Sequence, residues 1–223
     1  MHKKLMLACM AIAAFAAFVI APAASATTLT SEGIAVPVGT SITAKNTGNT
    51  VFTATGVTEV TCSTAHITGT VIANAVGGKQ VKGEVPVGNA QFNGTGAGGD
   101  CTSGLGDVGI TVNSKLCIET LAGTDNLSVN GCNGAKVTFS MLVTSTGTTC
   151  RYEGNVEQGA SFTTNTSPTP VTVLNGRPAA TDVLLETGGS FLCPKEGSLD
   201  MVFDLYTTGA TPGGPPGAPL TIS

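Results

Sequence analysis

Beyond residue 26, no stretch of this chain places apolar residues at i, i+3, i+4 and i+7 through three successive turns, whereas strict apolar/polar alternation recurs. In residues 135–144, Val137, Phe139, Met141 and Val143 share one face. Thr138, Ser140 and Thr144 take the other, with Leu142 as its one exception, which is the pattern of a half-buried strand. Residues 198–207 repeat it. Leu199, Met201, Phe203 and Leu205 are expected inward, Asp200, Asp204 and Tyr206 outward, with Val202 as the exception. Shorter strands are expected at 41–45, 50–55, 57–62, 67–73, 80–87, 108–112, 116–119, 171–174, 182–186 and 220–222.

Turn-forming pieces separate these runs, among them Val76-Gly77-Gly78, Gly96-Ala97-Gly98-Gly99 and Asn130-Gly131-Cys132-Asn133-Gly134. The Pro/Gly-rich piece 209–219 reads as an exposed loop, since proline cannot donate to a central ladder. Parallel α/β folding is disfavoured, because it needs crossover helices and nothing here would form them. The fold class expected is all-β, an antiparallel β-sandwich or barrel-like fold stapled by disulfides, after an N-terminal signal helix.

That signal is read from His2, Lys3 and Lys4, an uncharged apolar run over 5–20, and Ala21-Pro22-Ala23-Ala24-Ser25-Ala26. The layout is that of a secretory signal with small residues at the cleavage site, so the mature chain is expected to begin at Thr27. An uncleaved membrane anchor is the alternative, and Pro22 weighs against it. The division expected is 1–26 as signal peptide and 27–223 as a secreted β-rich region. One large domain is favoured there, with two smaller β-sandwich halves as the alternative.

Removing Lys3 and Lys4 leaves eight basic against 14 acidic residues, a net charge of −6. That balance argues against nucleic acid as a partner. No second apolar run of spanning length follows, so no membrane insertion of the mature chain is expected. A cell-envelope component or a protein is the class of partner left open. Cys9 departs with the signal and leaves six cysteines, Cys62, Cys101, Cys117, Cys132, Cys150 and Cys193, an even set that reads as disulfides in an exported chain. They lack CxxC spacing, and His66 is the one imidazole left, so a zinc site is disfavoured and no cofactor is expected.

At the cysteine-bearing segments the chain resembles a group of uncharacterised exported actinobacterial β-rich proteins of unknown function. The residues that carry the resemblance are Val36-Pro37-Val38-Gly39-Thr40, Val60-Thr61-Cys62, Gly98-Gly99-Asp100-Cys101-Thr102, Thr149-Cys150-Arg151-Tyr152, Phe191-Leu192-Cys193-Pro194 and Pro219-Leu220-Thr221-Ile222-Ser223. The resemblance runs across nearly the whole mature chain and brings no catalytic residues with it. It implies a connectivity: members that keep counterparts of four of the cysteines lack the insert around Cys117 and Cys132. The pairs implied are Cys117 with Cys132, Cys62 with Cys101 and Cys150 with Cys193.

Three groups of residues are candidates for chemistry. Ser63-Thr64-Ala65-His66 echoes the histidine segment of chymotrypsin-like proteases, but no GDSGG follows to supply the nucleophile a triad needs. Asp200 and Asp204 share a strand face about 13 Å apart, wider than the roughly 6.5–9.5 Å of an inverting carboxylate pair. Asp100 and Asp107 bracket a Gly-rich loop that could offer oxygens to calcium, without the pattern of an EF-hand. No catalytic residue is assigned. The expected function is that of an exported, non-enzymatic protein, secreted or associated with the cell envelope, with a binding or structural role. An exported carboxylate-dependent hydrolase is the alternative.

Overall fold

The computed structural model describes residues 27–54, 59–74, 80–174, 184–186, 193, 196–208 and 217–223. The signal segment 1–26, the turn Val76-Gly77-Gly78 and residues 209–216 of the Pro/Gly-rich loop lie outside the described residues, as do 55, 57–58 and 182–183 of three expected strands.

The strands, in chain order, begin with β1 (Leu29–Ser31), β2 (Ile34–Ala35), β3 (Ser41–Asn46), β4 (Thr50–Ala54), β5 (Val60–Cys62) and β6 (Thr64–Asn74). Next come β7 (Val81–Val85), β8 (Ala90–Asn93), β9 (Cys101–Ser103), β10 (Gly106–Val112), β11 (Leu116–Thr120) and β12 (Asn126–Gly131). The remainder are β13 (Val137–Val143), β14 (Thr148–Gly154), β15 (Val156–Phe162), β16 (Pro170–Leu174), β17 (Leu184–Glu186), β18 (Glu196–Thr207) and β19 (Leu220–Ile222). All the pairings described among them are antiparallel.

Eight of these strands close into a barrel. The path runs β18, β16, β15, β12, β11, β7, β6, β3 and back to β18. Closure depends on β18, which pairs β16 over Asp200–Asp204 on one edge and β3 over Phe203–Thr207 on the other. The first half of the same strand closes a second ring: β18, β4, β5, β9, β10, β13, β14, β17 and back to β18. The two rings are thus joined along one twelve-residue strand. They are also joined through the β3–β4 and β5–β6 stretches, which run on from one ring into the other as neighbouring strands.

Alternation explains the faces. Leu199, Met201, Phe203 and Leu205 line the interior, as expected of every second residue of β18. In β13, Phe139 and Met141 are buried, while Leu142 faces out. Two apolar clusters form the core. One fills the second ring and the junction, with Phe52, Phe92, Phe139 and Tyr152 at its heart. The other is mostly aliphatic, with Val71, Leu127, Val171 and Val173 from barrel strands and Leu29, Leu220 and Ile222 from the chain ends.

Those ends form a lid over the first barrel. β1 lies between β19 and β2 in a separate three-stranded sheet, with Leu29 opposite Ile222. Two polar side chains fasten it. Asn74, at the end of β6, donates through Nδ2 to the carbonyls of Leu29 and Val36 and accepts at Oδ1 from the Leu29 N–H, all within 2.8 Å. The buried Thr169 hydroxyl donates to the Thr166 carbonyl and accepts from the Ile222 N–H at 2.8 Å.

The disulfides are Cys62–Cys101, Cys117–Cys132 and Cys150–Cys193, the same three pairs the resemblance implies. Cys62 and Cys101 stand opposite each other at the end of the β5–β9 ladder, which otherwise has only the rungs Val60–Ser103 and Thr61–Thr102. Here a covalent bond takes the place of a third rung.

Candidate functional site

A cavity of about 190 Å³ runs through the first barrel and reaches the second ring, whose Phe52, Ile110, Val112, Val137, Phe139 and Gly154 also line it. Its origin is legible in the strand faces. Eight-stranded barrels have an interior just wide enough for side chains to fill or for one small ligand. Here Ala44 on β3, Gly69 on β6 and Gly83 on β7 occupy cavity-facing positions where bulkier residues would reach the axis. A Cβ at Gly83 would meet nothing nearer than the Thr70 carbonyl oxygen at 3.6 Å, so the space beside it is free. At Gly69 a Cβ would lie 2.6 Å from the Glu84 carbonyl oxygen, so the close approach of β7 to β6 requires glycine there.

The walls are apolar. Ile42, Val71, Ile118, Val129, Val173 and Met201 face the space from six strands. Thr120 is buried among them, and its hydroxyl accepts a hydrogen bond from the Val81 N–H at 3.0 Å. Lys82 and Glu84 border the cavity from β7, but their charged ends turn outward. Lys82 pairs with Glu119 at 2.7 Å and Glu84 pairs with Lys115. Leu29 and Ile222 of the lid border the space, as do Phe52, Phe92 and Phe139 of the junction. Left empty, a void of this volume costs roughly 4–5 kcal/mol on the scale set by core truncations.

The residues singled out in the sequence lie outside the cavity lining. His66 sits on β6 opposite Lys45 of β3 and Gln91 of β8, so its direct neighbours across the ladders are a cation and an amide. Lys45 in turn lies opposite Asp204 of β18. Asp200 and Asp204 occupy the face of β18 opposite its cavity-lining residues, Asp200 beside Val51 and Leu174, Asp204 beside Pro170. Burial raises the Asp204 carboxyl above the ordinary carboxylate range, and a hydrogen bond from the Tyr206 hydroxyl partly offsets this. The Tyr206 phenol is raised as well, first by burial and then by the neighbouring Asp204 charge.

Asp100 and Asp107 are engaged separately. Asp107 Oδ2 accepts from the Ala97 N–H at 2.8 Å, which fastens the Gly-rich loop to β10. Gly96 allows that approach, since a Cβ there would fall 2.5 Å from Asp107 Oδ1. Asp100 Oδ2 accepts from the Thr144 hydroxyl at 3.2 Å. Among the described residues, the grouping that brings three residues of metal-ligating type together is Glu84 with Cys117 and Cys132. Those two sulfurs are consumed by their bond to each other.

The cavity itself went unread in the sequence. Its signal was there: a glycine inside each of two expected strands, 67–73 and 80–87, where a strand interior ordinarily carries a side chain to pack.

Three intramolecular disulfides point to an oxidising environment outside the cytoplasm. No helix among the described residues is long and apolar enough to cross a membrane. No family model, no curated protein and no solved structure matches the chain.

Proposed function

We propose that this is an exported, non-enzymatic protein that acts by binding, either released or held at the cell envelope. One observation carries the reading: the cavity is mostly apolar, Lys82 and Glu84 at its border are held in ion pairs, and His66, Asp200 and Asp204 are not among the residues that line it. An enzyme's site joins a pocket to titratable groups that converge in it. Among the described residues the singled-out carboxylates and the histidine stand apart from the pocket, which favours binding over catalysis. The signal-like segment 1–26 and the three disulfides support export of the mature chain from Thr27.

The test is to fractionate a culture of the native host into medium, envelope and cytoplasm, and to read the N-terminus of the protein recovered. Recovery outside the cytoplasm with Thr27 first, carrying a bound molecule or protein, is the result expected. Recovery from the cytoplasm with residues 1–26 attached would overturn the reading.

A further inference from the structure

We infer that the first barrel is a binding site for one small, neutral, apolar molecule of roughly 6–10 non-hydrogen atoms, judged against the 150 Å³ apolar cavity that accepts benzene. This deepens the binding reading above and rests on it for its biological sense, though not for its physics.

Size sets the upper limit. At about 190 Å³ the space falls below the roughly 300–1,000 Å³ of sites for drug-sized ligands. A single ring or a short branched or linear hydrocarbon chain fits. Wall chemistry sets the polarity. The buried Thr120 hydroxyl accepts from the Val81 N–H, and the charges that border the space, Lys82 and Glu84, are held in ion pairs. A carboxylate or ammonium inside would therefore be desolvated with no charged partner. An apolar lining of this kind also stays dry rather than filling with ordered water, so a ligand need displace none.

The construction also argues against a mere packing flaw. A Cβ at Gly83 would meet only the Thr70 carbonyl oxygen, at van der Waals distance, so a side chain can start into the space from there. The position that creates the space is thus one the fold does not require to be glycine. Leu29 and Ile222 of the lid and the junction phenylalanines border the space along with the barrel strands.

The experiment uses the mature chain, residues 27–223, with disulfides formed, and follows side-chain methyl resonances during titration with toluene and, separately, benzoate at pH 7. Saturable shifts with toluene at Ile42, Val71, Ile118 and Val129, none at the exposed Ile34 and Leu142, and no response to benzoate are expected. Gly83→Leu should retain the folded spectrum and weaken toluene binding at least about tenfold. Should Gly83→Leu fail to fold, Ala44→Leu fills the same space from β3 and serves in its place.

Absence of a saturable toluene response in the folded wild-type chain would overturn the inference. So would equal binding of benzoate, shifts confined to exposed methyls, or undiminished binding in the folded, filled variant. Failure here would leave export and binding standing on whatever co-purifies from the host. Cytoplasmic retention would sink those and leave the toluene result intact.

Discussion

The two rings that meet along β18 solve the same closure problem with different means. The first barrel closes by long ladders: β11 meets β12 over five residues, β16 meets β18 over five and β3 meets β6 over five. Most of the residues that line the unfilled cavity come from its strands. The second ring closes through β5, β9 and β17, each three residues long. It compensates with covalent bonds and aromatic packing. Cys62, Cys101, Cys150 and Cys193 are all buried in its core, whereas Cys117 and Cys132 of the first barrel are only half-buried. Phe139 stacks on Tyr152 at 5.3 Å, and Phe52 meets Phe92 edge-on at 5.6 Å. A ring dense with contacts tolerates short strands; a ring rich in ladders tolerates a hole.

The sharpest way to break this contrast is to remove disulfides one region at a time. Loop-closure entropy assigns about 4 kcal/mol to each of the two second-ring bridges and about 3 to Cys117–Cys132, for separations of 39, 43 and 15 residues. The fully buried Cys62 and Cys101 add lost packing to that. Replacing all four second-ring cysteines with alanine should therefore cost most of a typical domain's stability. Replacing Cys117 and Cys132 should leave a folded protein with a lowered Tm. Equal melts for the two variants would erase the distinction.

Aromatic truncation comes next. Phe139→Ala should destabilise by about 3–5 kcal/mol in denaturant titration, whereas Ile118→Val, beside the cavity, should fall near the low end of about 0.5–1.5 kcal/mol. An Ile118→Val cost above that range would mean the first barrel is packed as tightly as the second. Asn74→Ala probes the lid. Losing three hydrogen bonds to β1 and its neighbour should cost about 1–3 kcal/mol and quicken amide exchange at Leu29 and Val36 before it affects the second ring.

The smallest effect expected is electrostatic. Burial raises the folded Asp204 carboxyl above its unfolded value of 3.8, so the corresponding share of stability is complete below that pH and is lost as pH rises through the folded value. Asp204→Asn should thus raise Tm at pH 7 and leave it nearly unchanged at pH 3. A lowered Tm at pH 7 would show that the charge is being used.

The strands easiest to read were those whose inward residues are large. β13 and β18 alternate Phe, Met, Leu and Val against polar residues, and both ran where expected. β12, β14 and β15 were not anticipated, for an identifiable reason. Their inward positions include Gly131, Gly154 and Ala160, whose small side chains blur the alternation. Asn126, Ser128 and Asn130 give β12 the composition of a turn, although it lies between β11 and β15 in the closed barrel. The lid strands β1 and β2 are too short for periodicity to register. Ring closure lay beyond local reading altogether, because it depends on which distant edges β18 joins. The candidate chemistry fared differently from the cavity: isolated His and Asp residues attract notice in a sequence, while a cavity is written in residues that are small.

Thr30 and Thr221 are neighbours in the lid although 191 residues separate them along the chain. For a polypeptide delivered N-terminal end first, this makes completion a matter of timing. β1 emerges early and must wait for β19, while β3 and β16 of the first barrel and β4 and β17 of the second ring wait for β18 before either ring can close. Until then the nascent sheet exposes unpaired edges and an uncovered apolar face, the features that invite association with other chains. Such a chain stays open until β18 and β19 have been delivered.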